Sequence, residues 1–343
     1  MENKVFLEQN KKARVIAEYK GAYKVKNENG EFLAKVTGKQ MFDASSREDY
    51  PAVGDWVLID ELPEEQAVIR EILPRHTIIK RKSVKEKMAT QIIATNIDVA
   101  FVVQSIGRDY NLNRFERYFA ISRDGGIKPA IILNKVDLIS KEELDEKLAE
   151  IKKRFSDVEV ITTSIVSNEG LDKLKNYIEK DKTYCFLGSS GVGKSSLINK
   201  LLGNDSIKTE GISSYSNRGK HITTGRQLYF LENGGALIDN PGMREIGMAD
   251  AGEGVDDLFG EITELSGKCK YKDCTHTHEA GCEVLSAVKS GKIDEKRYLN
   301  YLNLKKETEY YEMSEVERRE KDRSFGKFLK KAKKSFKEYG HKN

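Results

Sequence analysis

The sequence has little that would mark a membrane or secreted protein. No apolar stretch among its 343 residues approaches the roughly 18 residues of a membrane-spanning helix. Residues 1–12 contain no apolar segment ahead of a small-residue cleavage site, so we expect no secretion signal. These absences argue against an integral membrane protein and predict a cytoplasmic protein that makes no membrane contact.

Cysteine is scarce, and neither sign of charge is in large excess. The four cysteines do not predict a disulfide framework in a chain without an export signal. Cys185 stands alone in an apolar run, whereas Cys269, Cys274 and Cys282 lie within fourteen residues and indicate a metal site first. The formal net charge of +4 selects no class of partner. Residues 324–337, however, carry six lysines and no acidic residue, which predicts a basic arm.

The N-terminal part of the chain has little helical periodicity. Residues 1–75 contain short β-leaning segments, and the pair Asn29-Gly30 between two of them is typical of a hairpin turn. A small β-barrel fits this pattern, with the OB-fold as one candidate among several. The polar, basic residues 76–90 are predicted to form a linker or a surface that meets phosphates.

The pattern changes near residue 91. In residues 91–250, apolar strand-like runs alternate with helical stretches, which predicts an α/β domain with a parallel sheet covered by helices. Residues 251–343 are helical again around the cysteine cluster, and residues 295–337 predict one long, charged helix. We therefore expect a multi-domain protein with a barrel, an α/β domain and a mostly helical metal-binding domain that ends in a basic tail.

A phosphate-binding loop is predicted in the middle domain. The residues that follow one apolar strand and open a helix fit the pattern G-x-x-x-x-G-K-[ST] and continue it by one serine: Gly188, Ser189, Ser190, Gly191, Val192, Gly193, Lys194, Ser195 and Ser196. Backbone N–H groups of such a loop surround phosphate oxygens, and the helix N-terminus adds partial positive charge. Lys194 is expected to reach the β- and γ-phosphates as a catalytic residue, and Ser195 to bind Mg²⁺. A glycine-rich surface loop is the alternative, against which the flanking strand and helix argue.

A second motif, N-K-V-D at residues 134–137, follows another apolar strand. The Asp137 carboxylate can accept hydrogen bonds from both N1–H and N2–H of guanine, a donor pair that adenine lacks. Asn134 would fix the loop, and the stem of Lys135 would cover the ring face. Thr163 and Ser164 end the next strand, where a backbone N–H can reach the guanine carbonyl; a helix N-cap is the equal alternative. A four-residue motif alone is weak evidence for a guanine site, but together with a phosphate loop it predicts guanine specificity.

Two further segments are candidates for contacts with Mg²⁺ and the γ-phosphate. Asp239 closes a strand and is expected to bind Mg²⁺ through water, while the Gly242 N–H would contact the γ-phosphate. In residues 219–225, Thr224 is favoured slightly over Thr223 to complete the Mg²⁺ shell. Both segments are predicted to be switches that order around the γ-phosphate and are released on hydrolysis.

One expected catalytic residue is missing from the second switch. Many GTPases place a water-orienting glutamine directly after the switch glycine, and this chain has Met243 there. A thioether cannot orient water, so slow intrinsic turnover is predicted. His221 is the nearby switch residue with acid–base capacity, and we take it as the hypothesis for the residue that positions water. A solvated loop histidine is an equal alternative.

The motifs are complete but rotated in order. Most GTPases place the phosphate loop first, whereas here the guanine motif precedes it. Chain termini often lie close together at the surface of a domain, so a fold tolerates such a permutation. The arrangement resembles the RsgA (YjeQ/YloQ) family of circularly permuted, small-ribosomal-subunit-dependent GTPases over essentially the whole chain. The segments that carry the resemblance are residues 134–137, 188–196, 219–224, 239–245 and the cysteine cluster.

The resemblance implies an OB-fold for the barrel and a role in late maturation of the small (30S) ribosomal subunit. It also implies GTP hydrolysis that the subunit stimulates, and contact between the outer domains and rRNA. Two departures from the family pattern are Ile222 and Asn240, where threonine is usual. Ile222 weakens any assignment of the Mg²⁺ threonine to that position.

The cysteine cluster has the spacing of a metal site. Cys269, Cys274, His276 and Cys282 supply three thiolates and one imidazole, the closed set typical of one structural zinc ion. His278 competes as the imidazole ligand, and the family pattern favours His276. Unliganded cysteines in a reducing cytosol are the alternative.

Three functions are compatible with the sequence. The first is a monomeric ribosome-assembly GTPase that uses Mg²⁺. The second is a guanine-nucleotide-gated RNA-binding module whose hydrolysis is incidental, which Met243 favours. The third is a nucleic-acid-binding regulator unrelated to ribosomes, suggested by the basic arm, in which three phenylalanines lie among the lysines. Because the segment after Gly242 leads into the C-terminal domain, the nucleotide state is also expected to move that domain.

Overall fold

The computed structural model describes residues 11–82, 90–107, 110–204, 226–239 and 251–313, with the single positions 317 and 323. Among these residues, no helix combines the length and apolar character needed to cross a membrane.

A closed five-stranded barrel forms the N-terminal part. Its strands are β1 (Lys11–Tyr19), β2 (Ala22–Asn27), β3 (Gly30–Val36), β4 (Trp56–Leu62) and β5 (Gln66–Ile72), and helix α1 (Gly38–Asp43) follows β3. The strand order β1-β2-β3-β5-β4 closes on itself because β4 also pairs with β1. Alternating residues such as Val15, Val25 and Ile59 fill the interior. The predicted N-terminal β-barrel is confirmed.

A hairpin follows the barrel within the segment 76–90 that the sequence predicts to be a linker. Strand β6 (Ile78–Lys82) pairs antiparallel with β7 (Thr90–Thr95), and residues 83–89 lie outside the described part. Ile79 and Ile93 belong to the core cluster of the α/β domain. This part of the predicted linker is therefore a strand packed on the middle domain.

The middle domain contains a six-stranded sheet covered by helices. In spatial order its strands are β10 (Val160–Thr163), β9 (Lys128–Asn134), β8 (Val99–Ser105), β11 (Thr183–Leu187), β13 (Ala236–Asp239) and β12 (Gln227–Phe230). Neighbouring strands are parallel except that β12 runs antiparallel to β13. Strands β8 and β11 are buried along their whole length, which explains their continuous apolar sequences. The predicted α/β domain is confirmed.

Helices cover both faces of this sheet. They are α2 (Leu112–Asp124), α3 (Lys141–Arg154), α4 (Leu171–Tyr177) and α5 (Lys194–Leu202). Phe101 and Phe186 pack with Leu174 and Leu197 on one face. Val102 and neighbouring residues pack with α2 and α3 on the other. The strands thus carry their functional residues on a rigid, two-sided core.

The C-terminal domain is helical and packs on α2. Its helices are α6 (Gly252–Leu258), α7 (Gly260–Ser266), α8 (Glu283–Lys289) and α9 (Glu295–Glu312). Val255, Phe259 and Tyr301 share a core cluster with Phe115 and Phe119 of α2. The long helix predicted for residues 295–337 is described as far as Glu312, and the basic arm lies outside the described residues.

A buried carboxylate lies at the contact between α2 and the C-terminal domain. Glu116 is inaccessible to solvent. Its two oxygens accept hydrogen bonds from Arg154 of α3 at 2.9 and 2.7 Å, from Arg297 of α9 at 2.9 Å, and from Asn300 of α9. Two arginines therefore share one buried acid, which links α2, α3 and α9.

The barrel and the sheet are joined edge to edge. Strand β1 pairs antiparallel with β12, with Ala17 opposite Gln227, so that eleven strands form one continuous sheet. The buried Arg14 of β1 donates hydrogen bonds to the Asn96 carbonyl oxygen and to Thr183 Oγ1 of β11, both at 3.0 Å. The barrel is thus bonded to the strand that leads into the phosphate loop.

Candidate functional site

The predicted phosphate loop connects a buried strand to a helix. Strand β11 ends at Leu187 and α5 begins at Lys194, which leaves residues 188–193 as the loop. Gly193 has φ +100°, and a Cβ atom on it would lie 2.3 Å from the Asn134 amide nitrogen. Glycine is therefore required here both by the backbone conformation and by the close approach of the guanine motif.

The predicted phosphate-binding side chains gather at the start of α5. Lys194 Nζ donates hydrogen bonds to the carbonyl oxygens of Gly188 at 2.7 Å and Ser189 at 2.6 Å, so its ammonium lies against the inner side of the loop. Ser195 and Ser196 occupy the first turn of α5 and are half-buried. The N-cap residue Gly193 has no side chain to cap the helix. Positive charge and backbone N–H groups thus meet at one place, an arrangement suited to an anion.

The guanine motif is tied directly to this loop. Asn134 ends β9 and is fully buried. Its Nδ2 donates to the Val192 carbonyl oxygen at 2.8 Å, and its Oδ1 accepts from Thr163 Oγ1 at 3.0 Å. Lys135 has left-handed backbone angles, and its Nζ donates to the Gly191 carbonyl oxygen at 2.8 Å. Two adjacent side chains therefore connect the predicted base-binding and phosphate-binding loops.

Asp137 and Ser164 also lie together. Asp137 is in the short 3-10 turn after β9, and Ser164 follows the last residue of β10. The Ser164 hydroxyl donates to Asp137 Oδ1 and accepts a hydrogen bond from the Ser167 N–H at 3.1 Å. The sequence predicts a backbone role for Ser164 and gives no sign that its hydroxyl orients the carboxylate. That contact depends on β9 and β10 being neighbours in the sheet.

Asp239 lies at the same edge of the sheet as the phosphate loop. It ends β13, and β13 runs parallel to β11 with Ile238 opposite Cys185. The carboxyl ends of parallel strands meet at one edge, where α/β proteins bind their ligands. Burial first, and then the charge of Asp239, raise the pKa of Tyr229 on the adjacent strand.

Several predicted site residues fall outside the described residues. They are His221, Thr223, Thr224, Gly242 and Met243. The predicted roles of the first four, and the consequence drawn from Met243, stay predictions.

The predicted metal ligands converge in the C-terminal domain. Ligand atoms of Cys269, Cys274, His276 and Cys282 all lie within 4.8 Å of one another. The Cys269 and Cys282 sulfurs are 3.9 Å apart, and His276 Nδ1 lies 3.6 and 3.5 Å from them. Burial is the main effect that lowers the pKa of His276, and it favours the neutral imidazole, the form that binds metal. The competing His278 is exposed and is not part of this group.

Glu279 and Tyr298, which the sequence analysis did not single out, hold the loop around His276 in place. Both oxygens of the Glu279 carboxylate accept backbone hydrogen bonds: Oε1 from the Thr275 N–H, and Oε2 from the Thr277 and His278 N–H groups. Tyr298 of α9 donates its hydroxyl to the His276 carbonyl oxygen at 2.6 Å. Cys282 is the N-cap of α8, and its sulfur accepts from the Leu285 N–H. The position of Glu279 between two metal ligands is the one sequence signal that points to its role.

Comparisons with known proteins agree in family and in fold. A sequence model of the family described as RsgA GTPase matches residues 72–249. The chain is 41% identical over 317 residues to a protein of Lactiplantibacillus plantarum named small ribosomal subunit biogenesis GTPase RsgA 2, with 91% of this chain and 88% of that protein covered.

Two solved structures are similar over most of the chain. YjeQ from Thermotoga maritima has a TM-score of 0.65 at 26% identity, with 87% of this chain and 98% of that chain covered. YloQ, described as a circularly permuted GTPase, has a TM-score of 0.63 at 21% identity, with 90% of this chain and 98% of that chain covered. The second likeness concerns the fold alone.

Proposed function

Because the chain belongs to the RsgA family of GTPases, we propose that it binds the small (30S) ribosomal subunit and assists its late maturation. In this proposal it hydrolyses GTP slowly alone and faster when the subunit stimulates it. Membership of the family makes the chain a GTP hydrolase of ribosome biogenesis.

The observation that carries the proposal is the bonding of the guanine motif to the phosphate loop through Asn134 and Val192. Asp137, oriented by Ser164, would accept N1–H and N2–H of guanine. Lys194 would stabilise the β- and γ-phosphates, which would bind at the N-terminus of α5. The two recognition elements are held at a fixed separation, which suits a ligand that has both a guanine base and phosphates.

Mg²⁺ would bind with the nucleotide through Ser195, Asp239 and Thr224, and it would neutralise charge that develops on the phosphates. Ser195 lies in the first turn of α5 and Asp239 ends β13 at the same edge of the sheet, so hydroxyl and carboxylate oxygens suited to this ion are available there. Hydrolysis also needs an oriented water. The Met243 side chain cannot orient this water, and we propose that His221 does so. A contribution from the subunit would then explain faster turnover.

We propose that the metal of the cysteine cluster is one structural zinc ion. A tetrahedral zinc with Zn–S near 2.3 Å and Zn–N near 2.0 Å places two sulfurs about 3.8 Å apart, and sulfur and nitrogen about 3.5 Å apart. The separations of 3.9, 3.6 and 3.5 Å among Cys269, Cys282 and His276 agree with this geometry. Four protein ligands leave no position for a reactive water, so the role is structural.

In this proposal the protein is a monomer. Its barrel, its C-terminal domain and its basic arm all contact rRNA. Lysines of the arm would neutralise phosphates, which makes binding sensitive to salt. A guanine-nucleotide-gated RNA-binding module with incidental hydrolysis is the second candidate, and Met243 favours it.

One measurement tests these candidates: GTP turnover with and without purified small subunits, together with subunit binding at increasing salt. Strong stimulation supports the leading proposal. Nucleotide-dependent binding without stimulation supports the gated module. If the subunit neither stimulates turnover nor is bound, both the leading proposal and the gated module are overturned. A nucleic-acid-binding regulator unrelated to ribosomes then remains.

A further inference from the structure

Three strands place the barrel close to the predicted Mg²⁺ carboxylate. Gln227 of β12 is opposite Asp239 of β13 on one side and opposite Ala17 of β1 on the other. Neighbouring strands lie about 4.8 Å apart, so the backbone of Ala17 is about 10 Å from that of Asp239. Strand β1 of the barrel is therefore the second neighbour, across the sheet, of the strand that carries the predicted Mg²⁺ carboxylate.

Arg226 is the residue that immediately precedes β12. It follows residues 219–225, the segment predicted from the sequence to be the first switch, and it leads into Gln227. Its guanidinium is mostly buried, with 17% of the side chain exposed. The position makes Arg226 the covalent connection between the predicted switch and the sheet.

The Arg226 side chain bonds to elements outside its own strand. Its NH1 donates to the Ile92 carbonyl oxygen of β7 at 3.1 Å and lies 3.7 Å from Glu18 Oε2 of β1. Glu18 is next to Ala17, the residue that pairs with Gln227. One guanidinium therefore contacts both the barrel and the hairpin packed on the α/β domain.

Buried apolar side chains also connect the three strands β1, β7 and β12. Ile16 of β1, Ile93 of β7 and Leu228 of β12 are buried in one core cluster. A displacement of β1 relative to β12 would disturb this packing as well as the Arg226 contacts, because closely packed interiors do not deform freely.

We propose that Arg226 is a positioning residue that fixes the outgoing end of the 219–225 segment to the barrel, so that a partner bound to the barrel acts on GTP hydrolysis through it. This inference rests on the proposed GTPase function. Arg226 itself does not touch the nucleotide in this proposal. Its contacts with Glu18 and Ile92 hold the residue before β12 against the barrel and the hairpin.

The first test compares subunit-stimulated turnover of the wild type, Arg226→Gln, Glu18→Gln and the double variant. In Arg226→Gln, we expect the ratio of stimulated to unstimulated kcat to fall at least about fivefold, the lower end of typical coupling between sites. The subunit concentration that gives half-maximal stimulation should stay the same. Glu18→Gln should give a smaller loss, and the double variant no more than Arg226→Gln alone, because both changes remove one contact.

Lys182→Gln is the matched control, since it removes an ion pair with Asp98 (3.0 Å) just before β11, at the opposite end of the sheet strands from Gln227 and Asp239. It should leave the ratio unchanged. An unchanged ratio in Arg226→Gln would overturn the inference. A shifted half-maximal concentration with unchanged kcat would also overturn it, because Arg226 would then serve partner binding alone.

The second test does not depend on the ribosome. Amide hydrogen exchange of the full chain is compared with GDP and with a non-hydrolysable GTP analogue. We expect the nucleotides to give different protection at β1 amides 14–19 in the wild type and equal protection in Arg226→Gln. Equal protection in the wild type would overturn the inference. A wild type that shows the difference but no stimulation by subunits would instead overturn the proposed function and leave the role of Arg226 in place.

Discussion

Asn134 Nδ2 donates a hydrogen bond to the Val192 carbonyl oxygen at 2.8 Å, and this contact joins the guanine motif to the phosphate loop across 58 positions of sequence. The amide oxygen of the same side chain accepts from Thr163 Oγ1. One buried amide thus holds three segments, two of which are expected to contact different ends of one nucleotide.

We expect Asn134→Ala to weaken binding of GDP and GTP by roughly 10- to 100-fold. The change leaves the Val192 carbonyl and the Thr163 hydroxyl without their partner, at a cost of about 1–3 kcal/mol. Titration of a fluorescent GDP analogue measures the effect. Asn233→Ala is the matched control, because Asn233 also bridges backbone groups, at Ile178 and Gly235, but in the turn between β12 and β13. Equal affinities for the two variants would contradict the proposed role.

Asp137→Asn should change the base specificity of the site from guanine to xanthine. Ser164 donates to Oδ1 of Asp137, so the asparagine oxygen would keep that bond and its NH₂ group would face the base. Guanine presents donors there, whereas xanthine presents a carbonyl oxygen at C2. We expect GDP affinity to fall by about 10²- to 10⁴-fold and XDP affinity to rise. Competition between the two nucleotides measures both changes, and a variant that loses GDP without gaining XDP would argue against this orientation of Asp137.

The phosphate loop and its helix could be predicted closely because local chemistry determines them. The motif predicts that a helix follows the loop, and α5 runs from Lys194 to Leu202, with Gly193 and Gly203 in left-handed conformations at its two ends. The boundary near β8 is less well predicted. The apolar run 97–104 predicts a strand from its first residue, but β8 begins only at Val99, after the left-handed Asn96 and two further residues outside any strand. A periodic apolar pattern does not reveal such a turn.

Other features depend on tertiary contacts and could not be predicted. Strand β5 follows the left-handed Glu64 and Glu65, and its apolar run of only three residues, Ala67–Ile69, interrupted by Arg70 and Glu71, is a weak strand signal. Glu116 appears in the sequence as an ordinary charged residue of a helix, and only the docking of α9 makes it a buried acid. The hydroxyl of Ser164 gains its role from a neighbouring strand. Sequence reasoning therefore found the motifs but not the contacts that hold them.

Removal of a metal ligand should lower zinc content without removing a helix cap. Cys282 is both a proposed ligand and the N-cap of α8. In Cys282→Ser the hydroxyl keeps a favourable cap, so the loss reports on the metal. We expect well below one zinc per chain by elemental analysis and a melting temperature reduced by several degrees, with a similar shift when the wild type is treated with a chelator. His278→Ala should retain about one zinc; zinc loss in that variant would contradict the assignment of His276.

Glu116→Gln should strongly destabilise the docking of the C-terminal domain. Arg154 and Arg297 would face each other around a neutral amide, and breaking a buried ion pair costs about 3–5 kcal/mol. Glu307→Gln is the control, since the Arg117–Glu307 pair is about one-third exposed on both sides and should contribute at most about 1 kcal/mol. Chemical denaturation followed by circular dichroism compares them. Similar unfolding free energies for both variants would show that the buried network contributes little.

The contact between α6 and α2 would limit how far the predicted switch after Gly242 could move the C-terminal domain. Residues 240–251 connect the end of β13 to α6, and α6 is packed on α2 through Gly254. A Cβ atom on Gly254 would lie 2.0 Å from the Ala120 carbonyl oxygen and 2.8 Å from the Asp124 nitrogen. A displacement of α6 away from α2 would therefore have to break a close helix contact.

Gly254→Ala should separate these helices. Overpacking of this kind costs about 1–3 kcal/mol, and here the obstacle is backbone, which cannot rotate away. Gly260→Ala is the matched control, because Gly260 is also helical but a Cβ atom on it would meet no atom within 4 Å. Alanine there should be neutral or stabilise the chain by up to about 1 kcal/mol. We expect Gly254→Ala to unfold at lower denaturant concentration and to be cleaved faster by protease near residues 240–260. If both variants resist protease equally, α6 is not the element that fixes the C-terminal domain to α2.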